Sequence, residues 1–318
     1  MRFVVDDACW APAGVPPEAL ADALESLCDR LEDTRSREEA VGVHDTLYEL
    51  QVTPTTSLTS ALYEAEDPLE LGRDLRRRLS VLLDKLPKRG DAEVVSFGVN
   101  IAGTRHATAP SVDIARARCA RREETACLTP ATSGRRGRLA VSPTDAEAPA
   151  AMVAFVVDAQ DHVNFFREVI TIERADEEGF ATLAPSAWPG LAFVDGLWRG
   201  LRDFSRNYRE IRDDLMKHLN ALSDHGGRTF ALGRARDIED QFGSLGVTIS
   251  PESTETMRDA RCRNARTRAF GGESIVCEWH TKIELHQDRI HVHPPTARSA
   301  GRVIVGVLHR HLPIPGID

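Results

Sequence analysis

The stretch CEWHTKIELHQDRIHVHPPTARSAGRVIVGVLHRHLP, residues 277–313, contains repeated alternation of apolar and polar residues. Three runs, at 274–283, 289–293 and 302–309, have the period of two that is typical of half-buried strands. A helical pattern at 254–268 and a Gly-Gly break precede them. The sequence therefore predicts a small antiparallel sheet with one helix packed on it.

The same tail is rich in histidine. Six of the eleven histidines of the chain lie there, at positions 280, 286, 291, 293, 309 and 311. Alternation places polar side chains on a common face, namely Glu278, His280 and Lys282 of the first run and Arg289, His291 and His293 of the second. In the third run Val303, Val305, Val307, His309 and His311 share one side, and Arg310 lies on the other. If the apolar face packs on helices, we expect the polar face to be exposed.

The segments RTRAFGGESIVCEWHTKI, DRIHVHPP and GRVIVGVLHRHLP together resemble the RelE/HigB-like toxin superfamily over about residues 254–313. Free-standing members are ribosome-dependent endoribonucleases. They use strand-borne Lys, Arg and His or Tyr, sometimes Glu, to activate a ribose 2′-hydroxyl and to stabilise the phosphate transition state. The usual toxin is small and distinctly basic, whereas this segment ends an acidic chain. Binding of RNA without cleavage is therefore the alternative that the resemblance leaves open.

The resemblance also implies roles for individual residues. Lys282, Arg289 and Arg310 would stabilise the anion. Acid and base roles would fall to His280, His291, His293 or His309. Two other interpretations of these side chains are a solvated strand face without function and a metal site that includes Glu278. Lys282 and Arg289 would repel a divalent cation, so we predict no metal and no cofactor.

The helical pattern before the strands is strongly basic. It contributes five arginines, Arg258, Arg261, Arg263, Arg266 and Arg268. Projected on a helix they cover much of the circumference rather than one stripe. Contact with nucleic acid and a solvated helix with acidic neighbours are the two interpretations.

The rest of the chain predicts two further segments. Strand and helix patterns alternate over 1–158, which favours an α/β domain with partly parallel pairing. A helical connector follows at 159–250, and the sheet domain occupies 251–318. Within 1–158, the region around 130–150 reads as a loop with one edge strand at 138–142. The expected fold class is thus α+β multidomain, with an α/β layer, a helical connector and a RelE-like antiparallel sheet with a packed helix.

Charge separates the tail from the remainder. The chain has a formal charge of −9. Residues 251–318 carry ten Lys/Arg and eight Asp/Glu, against thirty and forty-one in residues 1–250. An acidic platform next to a mildly basic sheet favours restraint or docking of the sheet, and argues against indiscriminate nucleic-acid binding.

Cysteine spacing and hydropathy exclude several classes. The six cysteines form no C-x-x-C pair, so neither a zinc knuckle nor a disulfide framework is expected. No apolar run approaches the ~18 residues needed to cross a bilayer. We expect a cytoplasmic protein without membrane contact.

A second candidate for catalysis lies near the N-terminus. Asp6, Asp7, Glu49, Asp158 and Asp161 stand at or near predicted strand ends, which resembles PIN-like nucleases, where acids at strand ends hold divalent metal. The competing interpretation is that these acids cap helices and turns, and it is the one we favour.

The leading functional prediction is an RNA-binding protein whose enzymatic form is a metal-independent, toxin-like endoribonuclease, acting in cellular defence or growth control. RNA or the ribosome and a protein partner are the expected partners. The main alternative is a non-catalytic interaction subunit of a larger complex, and the further one is a PIN-like nuclease.

Overall fold

The structure is a computed structural model that describes residues 1–64, 66–145, 147–284 and 287–316. His286 therefore lies outside the described residues. The chain is an α+β protein with two compact units, 1–173 and 174–318. The boundaries that the sequence predicted, after 158 and 250, do not coincide with this division. Residues 159–173 of the predicted connector belong to the first unit, and residues 174–250 belong to the second unit together with the predicted sheet domain.

The first unit is built on one large sheet. The strands of this unit are β1 Phe3–Val5, β2 Val41–His44, β3 Gln51–Thr53, β4 Thr56–Ser57, β5 Lys88–Arg89, β6 Val99–Ile101, β7 Thr104–His106, β8 Ala126–Leu128, β9 Gly137–Pro143 and β10 Ala151–Val156. Strands β3 and β4 form a separate hairpin, and the other eight form the large sheet. The helices of the unit are α1 Pro17–Ser36, α2 Leu58–Tyr63, α3 Arg73–Asp84, α4 Pro110–Ala120 and α5 Ala159–Ile172. Short 3₁₀ turns occur at Asp45–Glu49, Asp91–Glu93 and Ala131–Ser133.

The strand order of this sheet is β5-β2-β1-β8-β10-β9-β6-β7. The first five strands are parallel, and the last three are added antiparallel. Strands β1, β8 and most of β10 are buried, as is usual for parallel strands covered on both faces. The partly parallel α/β layer predicted for this region is thus present.

Two local predictions in this unit were wrong. The strand expected at 138–142 is not an edge strand, because β9 lies between β10 and β6. The apolar run EVVSFGV at 93–99, one of the strand patterns of the sequence, forms a strand only from Val99. The side chain of Asp113 accepts the backbone N–H groups of Val95 and Ser96, at 2.7 and 2.9 Å, and so takes them out of the ladder.

The second unit contains a smaller mixed sheet. Its strands are β11 Leu191–Phe193, β12 Ile249–Pro251, β13 Thr267–Phe270, β14 Glu273–Val276, β15 Trp279–Lys282, β16 Arg289–His293 and β17 Val303–His309. Its helices are α6 Glu177–Ala187, α7 Tyr208–Phe230, α8 Ala235–Ser244, α9 Thr254–Arg258 and α10 Ala260–Ala265, with a 3₁₀ segment at Leu197–Asp203. Among the described helices, none is both long and apolar enough to cross a membrane.

The sheet order is β11-β17-β16-β15-β12, and β13 and β14 form a separate hairpin. Strands β12, β15, β16 and β17 are antiparallel neighbours, while β11 runs parallel to β17. Strands β15, β16 and β17 pair as a meander, as the sequence predicted, but the first predicted strand, 274–283, is divided between β14 and β15.

The helix predicted before the strands is interrupted in the structure. Residues 254–268 form α9, α10 and the start of β13 instead of one helix. Asp259 adopts an extended backbone conformation between the two helices, and its side chain accepts the N–H of Cys262 at 2.8 Å. The helix therefore restarts at this cap, because an N-cap residue has non-helical backbone angles.

Helix α7 continues past Gly226 and Gly227, although a Gly-Gly pair is typical of a helix end. A Cβ atom on Gly226 would lie 2.6 Å from Cγ2 of Val303 in β17. Gly226 therefore permits close approach of α7 to the sheet, a packing role that local sequence does not reveal.

Candidate functional site

Two cross-strand rows of polar side chains occupy one face of the second sheet. Lys282 pairs with Arg289, which pairs with His309 across β15, β16 and β17. In the next row, Ser250 of β12 pairs with His280, and His280 pairs with His291. Because side chains two apart share a face, the two rows are adjacent on the same side of the sheet.

A carboxylate lies at the centre of the second row. Glu252 follows β12, and its N–H donates to the carbonyl of Glu278 at 2.7 Å. Its Oε1 atom lies 2.9 Å from Nε of Arg266, 3.0 Å from Nδ1 of His280 and 3.4 Å from Nδ1 of His291. One oxygen atom is therefore in contact with a guanidinium and two imidazoles.

This group, which we call the Glu252 cluster, consists of Glu252, Arg266, His280 and His291. The side chains of Arg266 and His291 have no exposed surface, and those of Glu252 and His280 are 5% and 7% exposed. The expectation of an exposed histidine face is thus wrong for His280 and His291. Glu252 and Arg266 on this face come from the segment 252–278. The alternation of residues within the strands cannot predict their contribution.

Several buried polar atoms around the cluster have no hydrogen-bond partner among the described residues. They include Nε2 of His291, Nη2 of Arg266 and Nε of Arg289. The contacts of Glu252 Oε1 are also at ion-pair distances without hydrogen-bond alignment. Buried polar atoms are usually paired, so these atoms mark a place where water, an ion or a ligand can be accommodated.

Burial and charge oppose each other in the protonation of the cluster. Burial alone would raise the pKa of Glu252, but contacts with His280, His291 and Arg266 outweigh it and hold this pKa well below its usual range. For His291, burial lowers the pKa to about 4 despite the neighbouring carboxylate. Near neutral pH the cluster therefore contains a carboxylate and a neutral His291 imidazole.

The row of Lys282, Arg289 and His309 is partly exposed. Burial lowers the pKa of the Arg289 guanidinium. Nδ1 of His309 accepts the N–H of His311 at 3.0 Å, so a neutral His309 ring carries its proton on Nε2. A small cavity of about 190 Å³ adjoins His309. This row is the accessible side of the site.

The structure brings together five of the seven side chains that the sequence predicted as catalytic, namely His280, Lys282, Arg289, His291 and His309. His293 lies further along β16, with Nδ1 2.7 Å from the carbonyl oxygen of Pro294. Arg310 follows β17 and is exposed. Neither His293 nor Arg310 is among the residues in contact with Glu252.

The five predicted nucleic-acid-binding arginines have different surroundings. Arg258, Arg261 and Arg263 are exposed. Arg266 is completely buried, and its Nη1 donates to the carbonyls of Cys262 and Pro313. Arg268 is half-buried on β13 and donates to nearby carbonyls. Arg266 therefore belongs to the Glu252 cluster, and a basic helix with all five arginines on its surface does not exist.

Sequence reasoning missed Glu252 and Ser250. Both lie in TISPES, which the Pro and Ser content marked as a break. Their alternation with Ile249 and Pro251 was the available signal, but a strand of three residues is too short for a periodicity argument.

The N-terminal acids have structural partners. Asp6 pairs with Arg135 and accepts from Thr129. Asp7 accepts the N–H groups of Ser111 and Val112 at the start of α4, and burial raises its pKa to about 7. Acids at this sheet edge thus serve as a cap and in an ion pair.

Two of the other acids suggested for a PIN-like site, Asp158 and Asp161, also serve in a helix cap and in ion pairs. Asp158 caps α5 and pairs with Arg136. Asp161 also pairs with Arg136, and its side chain accepts the N–H of Val157. Glu49 lines a cleft of about 440 Å³ beside Asp7. Among the described residues, the one group with metal-ligand spacing is instead Glu252, His280 and His291, whose ligand atoms lie within 4.8 Å of one another.

Comparisons of the chain with protein-family models, curated proteins and solved structures give no match.

Proposed function

We propose that the second unit binds RNA and cleaves it without a metal ion, at the two polar rows centred on Glu252 and Arg289. The observation that carries the proposal is the convergence of Arg266, His280 and His291 on Glu252, next to Lys282 and Arg289 on the same sheet face. A carboxylate, imidazoles and cations are the groups that phosphodiester transesterification needs.

His280 is the proposed base. Its Nδ1 faces Glu252, and its Nε2 lies 3.3 Å from Oγ of Ser250. A proton on Nδ1, beside the carboxylate, makes Nε2 the acceptor nitrogen of the ring, and a ribose 2′-hydroxyl would take the place of the Ser250 hydroxyl as its partner. The 2′-oxygen then attacks phosphorus, and the bond to the 5′-oxygen breaks.

Arg289 and Lys282 are the proposed phosphate-binding groups. They are cross-strand neighbours and remain partly accessible, so an RNA backbone reaches them before the buried part of the cluster. We assign proton donation to the leaving 5′-oxygen to Lys282, the ammonium group beside Arg289. The exposed Arg258, Arg261 and Arg263 would add phosphate contacts without sequence preference.

The acidic part of the chain, residues 1–250, is proposed to restrain the mildly basic segment 251–318 or to dock it onto a partner. Residues 1–250 carry the excess of acidic residues, whereas 251–318 has a small basic excess. Charge complementarity of this kind favours association with a basic partner and limits non-specific RNA binding. A role in cellular defence or growth control follows from the resemblance to the toxin superfamily.

The test uses the full chain, with and without ribosomes. Arg289→Ala and His280→Asn should lower RNA cleavage by roughly 10²–10³-fold, since each removes a group that acts in the transition state. Arg298→Ala, which removes an exposed side chain paired with Glu273, is the control. RNA affinity and growth inhibition on expression are measured in parallel.

A non-catalytic interaction subunit is the competing function, and the complete burial of Arg266 and His291 is the observation in its favour. If the parent chain cleaves no RNA, or if the folded Arg289 and His280 variants equal the parent in all three assays, the interaction subunit should replace the proposed ribonuclease.

A further inference from the structure

The Glu252 cluster has a second chemical capability beyond RNA cleavage. Oε1 of Glu252 is separated by 3.0 Å from Nδ1 of His280 and by 3.4 Å from Nδ1 of His291. Ligands at the usual Zn–N and Zn–O distances of about 2.0–2.2 Å around a tetrahedral ion are roughly 3.3 Å apart. These two separations are close to that spacing, and all three ligand atoms lie within 4.8 Å of one another.

The buried atoms of the cluster that lack hydrogen-bond partners are the atoms that an ion would contact. Oε1 of Glu252 and Nδ1 of both histidines are buried, and none of the three makes an aligned hydrogen bond within the described residues. Three buried ligand atoms that lie within 4.8 Å of one another and lack hydrogen-bond partners are a suitable set for a metal ion.

Arg266 opposes a cation but does not prevent its binding. Its Nε contacts the same Oε1 at 2.9 Å, and its Nη1 is held by two carbonyls. A carboxylate oxygen has two lone pairs, so it can accept from a guanidinium and ligate an ion, as ligating carboxylates are commonly hydrogen-bonded. Repulsion between Arg266 and the ion should make binding reversible rather than permanent.

We infer that Glu252, His280 and His291 form a reversible site for a divalent transition ion of borderline softness, with Zn²⁺ as the fitting case. Two imidazole nitrogens and one carboxylate oxygen are the ligand set that such ions prefer over Mg²⁺ or Ca²⁺. This inference rests on the proposed function in one respect: an ion on Nδ1 of His280 replaces the proton that Glu252 would orient, so ion binding and RNA cleavage exclude each other.

The binding test uses the full chain, freed of metal by dialysis against a chelator. Zn²⁺ is titrated by calorimetry and in competition with a chromophoric chelator, and Co²⁺ is added separately for its visible absorption. We expect one ion per chain and Co²⁺ bands of nitrogen and oxygen ligation without a thiolate charge-transfer band. That last readout distinguishes this site from the six free cysteines.

Glu252→Gln and His291→Gln should each weaken Zn²⁺ binding at least tenfold, whereas Glu278→Gln and His309→Gln should leave it unchanged. The parent chain keeps the test decisive even if a buried variant fails to fold. Absence of stoichiometric Zn²⁺ binding by the parent, thiolate ligation of Co²⁺, or equal affinity in the folded Glu252 and His291 variants would overturn the site.

Measurements of RNA cleavage with and without Zn²⁺ distinguish this inference from the proposed function. Saturating Zn²⁺ should abolish RNA cleavage, and excess chelator should restore it. Zn²⁺ binding by a chain that never cleaves RNA supports the site and removes the ribonuclease. Cleavage that requires Zn²⁺ overturns both the mutual exclusion and the metal-independent mechanism.

Discussion

Nδ1 of His280, in β15, lies 3.0 Å from Oε1 of Glu252, the residue that follows the edge strand β12. This contact fixes the orientation of the imidazole and directs its other nitrogen to Ser250. It also brings the carboxylate into the same face as Arg289 and Lys282. The site therefore depends on the pairing of β12 with β15, and on Glu252 in particular.

Removal of Arg266 should strongly destabilise the second unit. Arg266→Met leaves the buried Glu252 carboxylate without its guanidinium, and loss of one partner of a buried ion pair costs about 3–5 kcal/mol in unfolding free energy. The double variant Arg266→Met, Glu252→Met should recover part of this loss. Urea unfolding measures both, with the exposed Arg298→Ala expected to cost at most ~1 kcal/mol. Equal losses at Arg266 and Arg298 would contradict a buried pair.

Stability should fall in mild acid because of His218. Its Nδ1 lies 2.8 Å from Oγ1 of Thr281, and burial lowers its pKa from 6.5 to about 4, with a smaller contribution from Lys217. A lowered histidine pKa means that the unfolded chain takes up the proton first. The contribution of His218 is therefore complete above pH ~6.5 and is lost as the pH falls towards 4, by about 3 kcal/mol.

Unfolding free energies of the parent and of His218→Gln, measured between pH 8 and 4, test this expectation. The variant should show a shallower decrease than the parent over the interval from about 6.5 to 4. Identical slopes would mean that His218 titrates normally in the folded state.

Two adjacent glycines of α7 should respond oppositely to alanine. Gly226→Ala places a Cβ 2.6 Å from Cγ2 of Val303 and should destabilise the protein by ~1–3 kcal/mol. Gly227→Ala meets only the carbonyl oxygen of Gly301, at 3.6 Å, and should stabilise the helix by up to ~1 kcal/mol. Thermal or urea unfolding of the two variants measures the difference. A stabilising Gly226→Ala would refute the close approach of α7 and β17.

The bulge where β16 pairs with β17 allows an experiment in which a second substitution should recover the loss caused by the first. A Cβ on Gly306 would lie 2.1 Å from Sγ of Cys277, so Gly306→Ala should destabilise the unit by ~1–3 kcal/mol and disturb the register at His291. Because Cys277→Ala removes that sulfur, the double variant should be more stable than Gly306→Ala alone. Additive losses in urea unfolding would show that Cys277 is not the obstacle.

The sequence predicted the positions of the tail strands, but it did not predict how they pair locally or what packs around them. The period of two located β15, β16 and β17, since each has enough residues to show alternation. It could not locate the bulge between His291 and Val292, where the partner strand passes from Val307 to Val305 and shifts its faces. Val305 and Val307 therefore do not share a side, contrary to the prediction.

The site was predictable only in part, for a related reason. His280, Lys282, Arg289 and His291 share a face that follows from alternation alone. Glu252 and Arg266 come from short elements between α8 and β14, and their convergence depends on long-range pairing that no local pattern encodes. The same covering segment buries two histidines that the strand pattern would leave in solvent.

The most direct test of the central proposal is the chemistry of the cut. The full chain is incubated, with and without ribosomes and in the presence of chelator, with an RNA and with the same RNA carrying a 2′-deoxy nucleotide at the cleaved position. Attack by the 2′-hydroxyl predicts a 2′,3′-cyclic phosphate and a 5′-hydroxyl in the first case, no cut at the substituted position, and roughly 10²–10³-fold slower cleavage by His280→Asn. Cleavage of the deoxy-substituted strand, or absence of cleavage of any RNA by the folded chain, would contradict it.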